Sequence, residues 1–114
     1  MGMPEFTKKL VETRMEKLCR TQRFKLTGNF KRLAFRIRED RVTLFEEKPL
    51  PTDKRLLVDK PIAQFRYNTA SNTWTLYCMD AYYAWNIYMH LDSTLNFDSL
   101  LNEVEQDPTG LFWK

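Results

Sequence analysis

Glycine is scarce, with 3 in 114 residues at positions 2, 28 and 110. No glycine-rich cradle for the phosphates of a nucleotide can be assembled from them. The only histidine, His90, has no serine or cysteine motif beside it, so a hydrolase triad has no support. Two cysteines, Cys19 and Cys78, are too few for a disulfide framework, and two reduced, packed thiols are the default. No Cys-x-x-Cys or His-x-x-x-His spacing is present, so neither a metal site nor a cofactor is expected. No run approaches the roughly 18 apolar residues of a membrane span. Residues 1–9 also lack the apolar stretch of a secretion signal, so the expectation is a cytoplasmic protein without a membrane partner.

What is present is core-forming material. Hydrophobic residues make up 43% of the chain and aromatic residues 14%, which places it outside the disordered and collagen-like classes. A chain of this length fits one domain spanning residues 1–114. Charge is lopsided: residues 1–60 carry 16 Lys plus Arg against 9 Asp plus Glu, while residues 61–114 carry 2 against 6. Such asymmetry steers polyanions toward the basic part, or pairs the two parts within one fold or between two copies.

Hydrophobic spacing divides the chain into elements. Phe6, Leu10, Val11, Met15, Leu18 and Cys19 recur at intervals of three and four, which predicts a helix from Glu5 to about Arg20. Thr21 to Lys31 reads as irregular around Gly28 and Asn29. From Arg32 the period becomes two, and Glu39 with Asp40 turns the chain into a second strand, Arg41 to Glu47. Lys48 to Lys60, holding Pro49 and Pro51, reads as the longest and most mobile connection. Three further strands are predicted at Ile62 to Tyr67, Thr73 to Met79 and Tyr82 to Tyr88. A final helix runs near Phe97 to Gln106, capped by Asn96 and stopped by Asp107 to Gly110.

The short connections imply an antiparallel meander, and two helices can cover only one of its faces. The expected fold is therefore a two-layer α+β domain with both helices on one face of a sheet of about five strands. Alternation assigns Leu33, Phe35, Ile37, Val42, Leu44, Ala63, Phe65, Tyr67, Trp74, Leu76, Cys78, Tyr83, Trp85 and Ile87 to the packed face. It leaves Arg36, Arg38, Arg41, Gln64, Arg66, Thr73, Thr75, Tyr77, Asn86 and Tyr88 on the open one.

Several blocks carry a resemblance: Phe45 and Glu46 with Pro49, Pro61 to Tyr67, Trp74 to Tyr77 with Trp85 and Tyr88, and above all Asp107 to Trp113. From about Ala34 to Trp113 the chain resembles a small bacterial family known as domain of unknown function number three thousand and twenty-four. The resemblance implies no activity. Asn86, Cys78 and Lys48 stand where the family pattern has a histidine, a tryptophan and an arginine, so a histidine-based role in relatives would not carry over to this chain.

Two arrangements invite a chemical reading. Asp40, with Glu46, Glu47 and Lys48, resembles the Asp, Glu-x-Lys pattern of metal-dependent nucleases, in which carboxylates hold Mg²⁺ and the lysine stabilises developing charge. Short Glu-x-Lys matches are common by chance, so a solvated strand end is the favoured reading of these residues and a nuclease the remote alternative. Glu46 falls by alternation on the packed face, where it needs a cationic partner or a marginal position. The second arrangement is the open face, where Arg36, Arg38, Arg41 and Arg66 stand beside Tyr77 and Tyr88. Arginines for phosphates and rings for bases are the combination that binds single-stranded nucleic acid. Alternating Arg and Tyr also keeps an exposed sheet soluble. With no complete catalytic constellation, the chain reads as a non-enzymatic binding module; a protein-interaction module or homodimer using a sheet edge is the alternative. Phe112 and Trp113 read as rings that staple the chain's end to the core.

Overall fold

The computed structural model describes residues 2–26 and 32–113. Its elements, in chain order, are helix α1 (Glu5–Thr21), a 3-10 turn (Arg23–Lys25), strands β1 (Arg32–Arg38), β2 (Arg41–Pro49), β3 (Leu57–Asn68), β4 (Thr73–Met79) and β5 (Trp85–Ile87), and helix α2 (Phe97–Gln106). The strands form one antiparallel sheet in the order β1-β2-β3-β4-β5. Both helices lie on one face, α1 against β1 and α2 against β4, so the two-layer α+β expectation holds. Of the segment read as irregular, Thr21 to Leu26 completes α1 and makes the 3-10 turn, and residues 27–31 lie outside the described residues. No helix among the described residues is long and apolar enough to cross a membrane.

The core lies between helices and sheet. Val11, Met15 and Leu18 supply it from α1; Phe97, Leu100, Leu101 and Val104 supply it from α2. They meet Leu33, Val42, Leu44, Ala63, Phe65, Tyr67, Trp74 and Leu76 from the sheet, with Phe35, Ile37 and Cys78 half-buried at its border. The stripe on α1 is narrower than its spacing predicts, since Phe6 is 82% exposed. Rings interlock at the centre: Phe97 lies 5.2 Å from Phe65 and 4.6 Å from Trp74 between centroids. Contacts of that kind add about 0.5–1.5 kcal/mol beyond burial.

Three expectations are corrected. The Lys48 to Lys60 connection is about half paired strand, because β2 runs on to Pro49 and β3 starts at Leu57. Only residues 50–56 turn, closed by the Leu50 N–H donating to Leu56 O at 2.9 Å and by Asp53, whose carboxylate accepts from the Arg55 backbone and guanidinium. Those bonds hold the exposed Asp53 carboxyl below its ordinary range. Pro61 sits inside β3 opposite Phe45, where a bulge between Leu44 and Phe45 sets both Ile62 and Ala63 in the core.

The second correction concerns β5, where strand does not begin at Tyr82. Asp80 Oδ1 accepts the N–H groups of Tyr82 and Ala84 at 2.8 and 3.0 Å, and Tyr83 turns with φ 62°. The pairing that follows sets Trp85 across from Met79 and Ile87 across from Tyr77. Every side chain in this strand is thereby shifted one position from the expected alternation, which inverts its faces. Tyr83 and Ile87 are exposed and Trp85 is half-buried outside the core, whereas Trp74 is in the core as expected.

The third correction follows from the second: Tyr88 is on the helix side, 1% exposed. Its N–H donates to Leu76 O at 2.8 Å, its hydroxyl donates to Glu103 Oε2 at 2.6 Å, and its ring packs 5.0 Å from Phe112. The chain's end is stapled as expected. Asp107, in the left-handed region at φ 45°, accepts the N–H groups of Phe112 and Trp113 at 3.2 and 3.0 Å. The Trp113 indole donates to Val104 O at 2.7 Å, and the Lys25 ammonium lies 4.9 Å from the Trp113 ring.

Candidate nucleic-acid interface

Strand register decides which open-face residues are neighbours, because residues paired across antiparallel strands share a face at about 4.5–5.5 Å. One cross-strand row reads Arg38, Arg41, Arg66, Thr75. The next reads Arg36, Thr43, Gln64, Tyr77, Ile87. Five of the six residues singled out in the sequence, Arg36, Arg38, Arg41, Arg66 and Tyr77, therefore share one face, and Tyr88 is excluded by its burial under α2.

The side chains on this face are held to different degrees. Arg66 is held by two contacts, one of them to a side chain that is itself fixed. Its Nε donates to Gln64 Oε1 at 2.7 Å, Gln64 Nε2 donates to Thr43 Oγ1 at 3.0 Å, and its guanidinium carbon lies 3.8 Å from the Tyr77 ring centroid. Gln64 is 6% exposed, so this chain of bonds is anchored in the sheet and not in solvent. Arg36 donates to Asp59 Oδ2 at 3.1 Å and lies 4.8 Å from the buried Phe45 ring. At roughly half exposure that pair contributes about 1 kcal/mol or less. Among the described residues Arg41 has Asp40 as its one ion-pair partner, with Nε to Oδ1 at 3.8 Å. Arg38 is exposed and, among the described residues, has no carboxylate within ion-pair distance.

Three guanidinium groups in one row are like charges directly opposite each other, which destabilises a sheet unless an anion meets them. Arg66 also borders a groove of about 280 Å³ at the hairpin end of the sheet, lined further by Asp40, Asn68, Thr69, Thr75 and Tyr77. Gln64 and Thr43, which orient Arg66, were not legible as site residues. Their role depends on the β2 to β3 register, and no turn residue between those strands dictates it.

The acidic arrangement does not converge. Asp40 sits at the β1 to β2 hairpin, six residues of strand from Glu46, a separation of about 20 Å. Glu46 is 8% exposed, paired across the sheet with Leu33 and Lys60, so the cation it needs stands directly opposite. Lys48 is further on, opposite Val58. Among the described residues no three His, Cys, Asp or Glu side chains are grouped as a metal site would need.

Elsewhere, burial pushes the Cys19 thiol up to about 11. The Tyr88 hydroxyl is also raised, first by burial and then by its bond to Glu103. Neither group faces the arginine row: Cys19 borders the helix-side core, and Tyr88 lies within it.

Residues 3–114 match a family model described as Domain of unknown function (DUF3024). No curated protein and no solved structure matches the chain.

Proposed function

The chain belongs to this family of unknown function, whose name assigns no chemistry, and we propose from its own open sheet face that it is a nucleic-acid-binding module. The observation that carries the reading is the cross-strand row Arg38, Arg41, Arg66, with the Arg66 guanidinium over the Tyr77 ring. Guanidinium groups take phosphates in fixed planar geometry, and a guanidinium plane or a tyrosine ring offers a base a surface to stack on. A single strand suits the face, since its bases are unpaired and its phosphates can follow the row. The sequence's basic first half, which holds Arg36, Arg38 and Arg41, adds long-range attraction for a polyanion.

Fluorescence anisotropy of a labelled single-stranded oligonucleotide at low salt tests the proposal. Binding by the wild type, weakened about five- to hundredfold by Tyr77→Ala, is the expected result, from about 1–3 kcal/mol per stacked base. Absence of binding by protein shown to be folded by circular dichroism overturns it, and light scattering on the same sample then tests the homodimer alternative.

A further inference from the structure

The groove beside the arginine row contains one group that does not suit a phosphate, the carboxylate of Asp40. Its backbone is fixed, because the Tyr67 N–H on β3 donates to Asp40 O at 2.8 Å and ties the hairpin turn to the neighbouring strand. Its side chain is 43% exposed, and its ion-pair partner Arg41 stands at 3.8 Å, beyond hydrogen-bond distance. An ionised carboxylate only accepts hydrogen bonds, so it repels a phosphate oxygen and attracts a donor edge.

We infer that Asp40 is a specificity-determining residue that reads an unpaired base, and that the base is guanine; the inference rests on the nucleic-acid reading. Guanine alone among the bases places two donors side by side on its Watson–Crick edge, the N1–H and the N2 amino group, to match the two oxygens of a carboxylate. Cytosine and adenine each set an acceptor beside their amino group, and thymine sets acceptors on both sides of its N3–H. Each of those edges brings an acceptor against Asp40. Arg41, adjacent in sequence to Asp40 and opposite Arg66, stands where it would meet the phosphate of the same nucleotide. Arg66, over the Tyr77 ring, lines the same groove and offers the base a guanidinium to stack on.

Four labelled thymidine heptamers, with dG, dC, dA or dT at the centre, test this by anisotropy with the wild type, Asp40→Asn and Asp40→Ala. The wild type is expected to bind the dG strand about tenfold more tightly than the other three, as a bidentate contact to a base edge does. Both variants are expected to lose that preference while binding the dT strand as well or better, since a negative charge has gone. Equal wild-type affinity for all four strands, or a dG preference retained in both variants, overturns the inference and leaves the nucleic-acid reading standing. Absence of binding to every strand overturns both.

Discussion

The Tyr88 hydroxyl donates to Glu103 Oε2 at 2.6 Å, joining the segment after β5 to the middle of α2. Tyr88→Phe keeps the ring against Phe112 and removes this bond together with the longer hydroxyl contact to Thr109 Oγ1 at 3.3 Å. A loss of about 1–2 kcal/mol in urea unfolding is expected, as for a bond to a charged acceptor with part of its exposure retained. Affinity for a single strand is expected to stay unchanged, because the hydroxyl is on the helix side.

Trp74 and Trp85 separate by environment. Trp74→Ala leaves a cavity among Tyr67, Phe97 and the sheet, and a loss of about 3–5 kcal/mol is expected. Trp85 is half-buried outside the core, so Trp85→Ala is expected to lose less than half of that. Equal denaturation midpoints for the two variants would contradict the β5 register.

Stability is expected to fall as pH rises into the alkaline range. The unfolded chain releases the Cys19 thiol proton near its ordinary value of 9.0, while the folded chain holds it to about 11. Between those values the unfolded state binds fewer protons, so stability, complete below pH 9, declines as pH rises toward 11. Tyr88, raised by burial and by Glu103, acts in the same direction above its ordinary 10. Urea midpoints at pH 8, 9.5 and 10.5 check this, and Cys19→Ala is expected to flatten the decline.

How much of this was legible follows from how each element is specified. The helices, the β1 to β2 hairpin and the meander are written in local period and turn residues, and Asn96 caps α2 through its side chain accepting from the Asp98 N–H, as its position promised. The arginine face was legible because Arg36, Arg38, Arg41 and Arg66 alternate with Phe35, Ile37, Val42 and Phe65. The β5 faces were not, because Tyr82, Tyr83, Trp85, Ile87 and Tyr88 put large side chains on both alternating sets. Only the Asp80 turn decides between them. Nor was the paired arm beyond Glu47, since prolines at 49, 51 and 61 read as breaks; Pro49 and Pro61 occupy a strand end and a bulge, and Pro51 lies in the turn.

The most direct test of the proposed interface is the salt dependence of single-strand affinity. Three arginine contacts, from Arg38, Arg41 and Arg66, imply a log-log slope of about −2, each neutralised phosphate contributing about 0.7. Arg38→Ala and Arg41→Ala are each expected to flatten the slope by about that amount, and Tyr77→Ala to weaken binding with the slope intact. A wild-type slope near zero, or one unmoved by either arginine variant, would contradict the assignment of phosphates to the Arg38, Arg41, Arg66 row.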